Sequence, residues 1–98
     1  MVQSVTDAKI QWLGHAGFKI VFRHENTERV IYIDPWIGNP KYPANLKNEA
    51  GEAPMPTDAD IILITHGHWD HSNCAVPIQQ ASTKECKIAC GYELGVWY

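Results

Sequence analysis

The feature that most constrains the fold is an apolar run that ends in a cluster of histidines. Residues 60–65 read Asp-Ile-Ile-Leu-Ile-Thr, and residues 66–71 read His-Gly-His-Trp-Asp-His. A continuous β-branched run is typical of a central strand that is buried on both faces. A helix capped by Ser72 or Asn73 should follow. We therefore predict a buried strand whose carboxyl end presents four potential metal ligands: His66, His68, Asp70 and His71.

The spacing of these four side chains suits two metal ions. In an extended segment, residues two apart point the same way, so His66 and His68 can converge on one ion. Asp70 and His71 follow directly and can face a second ion, and two ions about 3.5–4 Å apart can clamp both oxygens of a displacement reaction. Such nitrogen and oxygen ligands suit zinc, iron or manganese. The alternative is a chance cluster of capping or solvated histidines, which four potential ligands in six residues disfavour.

The chain divides into four segments. Residues 9–34 alternate apolar and polar side chains with a period of two, which predicts a meander of short, half-buried strands. Residues 35–59 hold five of the six prolines and predict a long irregular loop, either a functional rim or a plain connector. Residues 60–83 carry the strand, the metal motif and a helix, and residues 86–98 predict a further strand and the start of another helix. Strands joined by a helical crossover predict a layered α+β (α/β) domain.

Composition excludes several classes of function. The formal net charge is −3, and the lysines and arginines are scattered, so binding of nucleic acid is not expected. The longest apolar stretch, residues 61–64, is too short to span a bilayer, and residues 1–10 lack the apolar core of a signal peptide. Three cysteines, an odd number, give no disulfide framework. Cys86 and Cys90 would also lie about 13 Å apart along a strand, which is too far for a disulfide bond. We therefore expect a cytoplasmic protein with reduced thiols.

Three motifs together resemble one known family. The run at residues 66–71 is similar to the first metal motif of the metallo-β-lactamase superfamily. Residues 12–18, Trp-Leu-Gly-His-Ala-Gly-Phe, and residues 33–36, Ile-Asp-Pro-Trp, resemble the opening of one branch of it. That branch contains the ascorbate-6-phosphate lactonases, the N-acyl-phosphatidylethanolamine phospholipases D and many metal-dependent hydrolases. The resemblance extends from about residue 9 to the end of the chain.

The resemblance implies a role for each residue of the motif. His66 and His68 would bind the first metal ion, and Asp70 and His71 the second. Asp70 would also hold the bridging water or hydroxide, which makes it the candidate catalytic residue. Asp34 would orient the ligands without binding metal; the alternative is a residue that merely ends its strand. His15 would lie close to the site without being a ligand; the alternative is an ordinary loop histidine.

The chain departs from the family pattern in its length. The superfamily domain is an αββα sandwich of two similar halves, and its second half supplies further histidine and aspartate ligands. No histidine or aspartate follows His71 among the 98 residues. We therefore expect the amino-terminal half of such a sandwich, as a fragment, a truncated gene product or one component of an assembly. One sheet face would be left bare, which predicts a homo-oligomer or association with the missing half.

The resemblance implies hydrolysis by a metal-bound hydroxide. The substrate would be an ester, a lactone or a phosphodiester, in a small or lipid-like molecule, and the cofactor a divalent metal, with zinc preferred over manganese or iron. This chain alone would be incomplete as an enzyme, because His66 and His68 are only two of the three protein ligands that a catalytic zinc ion requires. The alternative function is a catalytically inactive, truncated module that binds metal and oligomerises.

Overall fold

The structure, a computed structural model, describes residues 6–91 and is built on a five-stranded mixed sheet. The strands lie in the order β1-β2-β3-β4-β5, with an antiparallel meander from β1 to β3 and parallel pairing from β3 to β5. The meander and the strand near residue 88 agree with the sequence predictions. The strands are β1 (Thr6–Trp12), β2 (Phe18–His24), β3 (Thr27–Ile33), β4 (Ile61–Leu63) and β5 (Lys87–Ala89).

The helical content of residues 6–91 is small. A 3-10 turn spans Ala44–Leu46 inside the proline-rich loop, α1 spans Trp69–Ser72 and α2 spans Ala75–Ala81. The rest of the loop is irregular, as its prolines predict. The helices lie between β4 and β5 and make the crossover that parallel strands require. The predicted helix start within residues 92–98 lies outside the described residues.

The helix predicted after the motif is interrupted, and the predicted cap at Ser72 or Asn73 is wrong. The residues that precede α1 and α2 are instead His68 and Cys74. Pro77 explains the interruption, because its nitrogen has no hydrogen to donate to the carbonyl of Asn73, as a continuous helix would require. A new helix, α2, therefore begins after Asn73 and Cys74, with the amide of Ile78 donating to the Cys74 carbonyl at 2.9 Å.

One face of the sheet carries the hydrophobic core. Tyr32 of β3 is 2% exposed and Ile62 of β4 is 0% exposed. Ala75 and Ile78 of α2 belong to the same buried cluster, as do side chains of the long loop. The loop is held on this face by Asp58, which accepts hydrogen bonds from the Tyr32 hydroxyl at 2.7 Å and from Lys19 at 2.8 Å. Residues 35–59 thus cover part of the core and are more than a loose connector.

The opposite face of the sheet is open in residues 6–91. Cross-strand neighbours place apolar side chains of β1 to β4 there in two rows, Ile10, Ile20, Ile31 and Ile61, and Trp12, Phe18, Ile33 and Leu63. Ile10 is 70% exposed, Trp12 51% and Phe18 38%. The prediction that residues 60–65 are buried on both faces is therefore wrong. Ile61 is 37% exposed while Ile62 is fully buried, because the described residues supply a covering layer on only one side.

Two further features of residues 6–91 concern the helices and the cysteines. Within residues 6–91, no helix has the length and apolar character needed to cross a bilayer. Cys74 and Cys86 are buried, Cys90 is half-buried, and all three thiols are free. Burial raises the pKa of the Cys74 and Cys86 thiols, so both groups stay protonated and behave as small apolar side chains.

Asp60, which directly precedes β4, connects this strand to β3 and to the segment before β5. Its carboxylate accepts hydrogen bonds from the backbone amide of Val30 and from Lys84, both at 2.7 Å. Arg29 lies 3.7 Å from the other carboxylate oxygen. Burial by itself raises the pKa of Asp60, but the contacts with Lys84, Val30 and Arg29 outweigh it and hold the pKa below its ordinary value. The folded chain therefore favours the charged carboxylate.

We expect Asp60→Asn to lower the free energy of unfolding by about 1–3 kcal/mol near neutral pH, because two charge-assisted hydrogen bonds are weakened. A lowered pKa contributes stability at pH values above the unfolded value of about 3.9, and that contribution is lost as the pH falls through the folded pKa. Urea denaturation should show the difference between the two proteins shrinking below about pH 4. Glu49→Gln, at an exposed carboxylate, is the control and should have no effect. A difference that persists undiminished in acid would contradict this role of the charge.

Candidate metal centre

The predicted site residues meet at one edge of the sheet. Asp34 directly follows β3 and the motif at residues 66–71 follows β4. Because these two strands run parallel, their carboxyl ends lie side by side. The turn between β1 and β2 lies at the same edge, since Trp12 pairs with Phe18 and Phe18 pairs with Ile33. The sheet register thus brings three distant segments of the chain together.

Asp34 is a buried carboxylate that anchors the motif. It is 3% exposed and has a positive φ of 44°. One of its oxygens accepts a hydrogen bond from the Thr65 amide at 2.8 Å, and the other accepts hydrogen bonds from the Thr65 hydroxyl and from His71. Burial alone raises the pKa of Asp34, but the hydrogen bonds from Thr65 and His71 outweigh it and keep the pKa below its ordinary value. Asp34 is therefore an ionised acceptor at neutral pH.

The contact with Asp34 fixes the orientation of His71. Nδ1 of His71 lies 2.8 Å from the carboxylate oxygen Oδ2 of Asp34. Because this oxygen is an ionised acceptor, Nδ1 donates, and a neutral ring then leaves Nε2 without a hydrogen. Histidines that bind metal ions commonly donate their other ring nitrogen to a carboxylate in this way. Nε2 points toward Asp70, whose Oδ2 lies 3.6 Å away.

His15 lies beside Asp70 and His71. Its Nε2 is 3.2 Å from Oδ2 of Asp70, and its ring meets the ring of His71 edge to face, with 5.5 Å between centroids. The ring also packs edge to face against Trp36 at 5.3 Å. Trp36 in turn contacts Trp69, which is 66% exposed. These two tryptophans form an apolar rim on one side of the site.

His66 and His68 lie near each other but are more exposed. Their rings meet edge to face with 4.7 Å between centroids, so the predicted proximity of the pair is present. The ring of His66 also lies 3.9 Å from that of His71, and its Nδ1 is 3.0 Å from the Thr65 hydroxyl. These two histidines, the predicted ligands of the first metal ion, therefore lie side by side at the surface.

The ligand atoms of the described residues form two groups in which three atoms lie within 4.8 Å of one another. One group consists of His15, Asp70 and His71, and the other of Asp34, His66 and His71. His68 belongs to neither group, so the set of ligands predicted for the first ion is not assembled within residues 6–91. The binding of metal by all four motif residues stays a prediction.

Three residues that support the site were missed by the sequence interpretation. Thr65 immobilises Asp34, Trp36 packs on His15, and Asn39 ties their loops together. Asn39 is 1% exposed, and its amide donates to the carbonyls of Leu13 and Trp36, both at 2.8 Å. Trp36 belongs to the motif at residues 33–36 and Thr65 directly precedes the motif at residues 66–71, but Asn39 had no sequence signal. Spacing along the chain does not show which partner a side chain reaches.

The donor set fits a divalent transition metal. Imidazole nitrogens and one carboxylate are the ligand types of zinc, iron and manganese sites in proteins. The Asp34–His71 contact supplies the orienting hydrogen bond that such sites use. Asp34 itself is less suited to direct binding, because its Oδ2 already accepts two hydrogen bonds.

Comparison with known proteins identifies relatives of this chain. A family model described as "Beta-lactamase superfamily domain" matches residues 9–86. A UPF0173 metal-dependent hydrolase of Cereibacter sphaeroides is 44% identical over 90 residues, and one of Koribacter versatilis is 42% identical over 90 residues. Each alignment covers 91% of this chain and 34% of the relative. The chain thus spans about a third of the length of these curated relatives.

A solved structure shares the fold. It is described as a novel metallo hydrolase from the hyperthermophilic archaeon Ignicoccus hospitalis, and it superposes with a TM-score of 0.67 at 26% sequence identity. The match covers 95% of this chain and 35% of that one. The predicted fold class, a layered α+β arrangement that is part of a larger metallo-β-lactamase-type domain, is confirmed. With the family model matching most of its length, the chain belongs to the β-lactamase superfamily.

Proposed function

We propose that this chain carries part of the metal centre of a metal-dependent hydrolase. The observation that carries the proposal is the arrangement around His71, whose Nδ1 is held by buried Asp34 while its Nε2 faces Asp70. An imidazole with one nitrogen fixed by a carboxylate and the other directed at a second carboxylate is prepared for a metal ion. The names of the curated relatives, which are metal-dependent hydrolases, support the same activity.

In this proposal, His66 and His68 hold the first ion, and Asp70 and His71 hold the second. Zinc is the preferred metal, with manganese or iron as alternatives. A divalent ion bound here would acidify a water molecule and stabilise negative charge on oxygen. Asp34 keeps His71 in one tautomer and one orientation. Asp70 would hold the water molecule in place through its carboxylate.

The substrate proposed is an ester, lactone or phosphodiester in a small or lipid-like molecule. The apolar rim of Trp36 and Trp69 supports this class, since an exposed aromatic side chain next to a metal site offers a surface for an apolar group. The side chains that select one substrate would come from the parts of the relatives that this chain does not match.

The alternative is an inactive module that binds metal and associates through its sheet. The open face with Ile10, Trp12 and Phe18 favours association, because a contiguous apolar surface on a soluble protein marks an interface. Both proposed functions use the same metal-binding residues. They differ in whether further protein ligands complete the metal site. We propose that a second copy covers this face in the isolated chain, and that the unmatched part of the domain covers it in longer relatives.

The test of metal binding is replacement of His71, which belongs to both groups of ligand atoms. We expect the chain to retain zinc after dialysis and His71→Ala to lose it, measured by metal analysis. His24→Ala removes an imidazole from the far end of β2 and should retain the metal. Circular dichroism would establish that both variants are folded. A folded His71→Ala protein with the zinc content of the unchanged chain would overturn the proposed site.

A further inference from the structure

We propose that His15 is the third protein ligand of the metal ion held by Asp70 and His71. The proposal rests on the proposed function and adds to it a residue from a separate segment of the chain. It gives the second ion three protein ligands within the described residues, which is the number that catalytic zinc sites usually have. A fourth coordination position would then stay open for water or substrate.

The distances between the ligand atoms carry the proposal. For bonds of about 2.0–2.1 Å, two ligands of a tetrahedral ion lie roughly 3.3–3.4 Å apart. Oδ2 of Asp70 is 3.2 Å from Nε2 of His15 and 3.6 Å from Nε2 of His71. One ligand atom from each of His15, Asp70 and His71 lies within 4.8 Å of the ligand atoms of the other two residues. One ion can therefore reach all three atoms with small adjustments of the side chains.

A simple hydrogen-bonded cluster explains these distances less well. The 3.6 Å separation between Asp70 and His71 is too long for a hydrogen bond, yet it is close to the spacing of two ligands on one ion. Nδ1 of His71 already donates to Asp34, so its Nε2 is the nitrogen left for metal. An ion pair between His15 and Asp70 would contribute little by itself, because their side chains are 36% and 38% exposed.

The backbone around His15 is held firmly enough to position a ligand. The turn is closed by hydrogen bonds from the Leu13 amide to the Gly17 carbonyl at 2.8 Å and from the Gly17 amide to the Gly14 carbonyl at 3.0 Å. The indole of Trp12 donates to the His15 carbonyl at 2.8 Å. Gly14 is required here, because a Cβ at its position would lie 2.5 Å from the side chain of Asn39. Asn39 fixes the turn against the neighbouring loop by donating from its amide to the Leu13 carbonyl at 2.8 Å.

The ring of His15 is also oriented. Trp36 packs edge to face on one side of it at 5.3 Å, and His71 lies on another side at 5.5 Å. With both backbone and ring restrained, Nε2 is directed at Asp70. Such preorganisation is what a ligand outside the main motif needs in order to contribute to affinity.

The test uses cadmium as an NMR-active substitute for zinc, with histidine imidazoles labelled with the NMR-active nitrogen isotope. We expect scalar coupling between bound cadmium and the Nε2 atoms of both His15 and His71. His15→Ala should lose the first coupling and weaken binding of this ion by more than about tenfold. His24→Ala is the matched control and should change neither quantity. A residue that only supported the fold would show no coupling to the metal.

Two results would overturn the proposal, and they are distinguishable. If cadmium binds and couples to His71 but not to His15, His15 is not a ligand, and the proposed function stands. If the folded chain binds no cadmium or zinc at all, the proposed metal centre fails together with this inference.

Discussion

In sedimentation experiments the 98-residue chain is expected to run as a dimer or a larger assembly. The reason is the open sheet face, where Ile10 is 70% exposed and Phe18 is 38% exposed beside further apolar side chains of β1 to β4. Removing such a surface from water is favourable by about 25 cal/mol per Å². Replacing Ile10 and Phe18 together with lysine should therefore shift the chain to monomers, because two charges cannot be buried unpaired in the interface.

The control for this experiment is Lys9→Glu, in the same strand. Lys9 pairs with Val21 and therefore points to the opposite face from Ile10. This variant should sediment like the unchanged chain. If the unchanged chain is a well-folded monomer at every concentration examined, the open face does not drive association.

The sequence predicted the strands and the position of the metal motif well, because both depend on local pattern. The period of two in residues 9–34 requires only neighbouring side chains to be compared. The position of residues 66–71 at the edge of the sheet followed from the apolar run before them. Asp34 accepts hydrogen bonds from Thr65 and His71, while its role in orienting metal ligands stays a prediction.

The sequence could not show which sheet face would be covered. Alternation separates two faces of a strand but does not say which one receives helices and loops. The apolar row with Ile10, Trp12 and Phe18 is the open face, while Tyr32 lies on the covered one. The same limit explains why residues 60–65 were expected to be buried on both sides. A strand can be apolar on both faces although the layer that would cover one of them is not among the described residues.

Contacts between distant segments were also beyond the sequence. His15 and Asp70 meet only because β1, β2, β3 and β4 pair in one register, which places the first turn beside the motif. The helix is interrupted at Asn73 and Cys74, and Pro77 was the local sequence signal for this interruption. A proline, however, is compatible either with the first turn of a helix or with a break in one. In the structure, one helix ends before Asn73 and Pro77 lies in the first turn of the next helix, α2.

Activity is the property for which we expect the largest difference between this chain and a longer one. Small misplacements of catalytic groups can cost about a hundredfold in rate, and the first ion, with only His66 and His68 as protein ligands, is poorly positioned. The chain alone should therefore hydrolyse a lactone or bis(p-nitrophenyl) phosphate barely faster than free zinc does. A chain extended by the remaining two thirds of the Cereibacter sphaeroides relative should be faster by at least about a hundredfold.

The most direct test of the account is the effect of Asp70→Asn on the zinc-dependent turnover of this extended chain. Asp70 lies between His15 and His71 at the proposed second ion, and its replacement removes the negative charge there. We expect turnover to fall to the rate of the 98-residue chain, whereas His24→Ala should leave it unchanged. An extended chain that keeps full zinc-dependent activity with asparagine at this position, or a 98-residue chain that is already a rapid hydrolase, would contradict it.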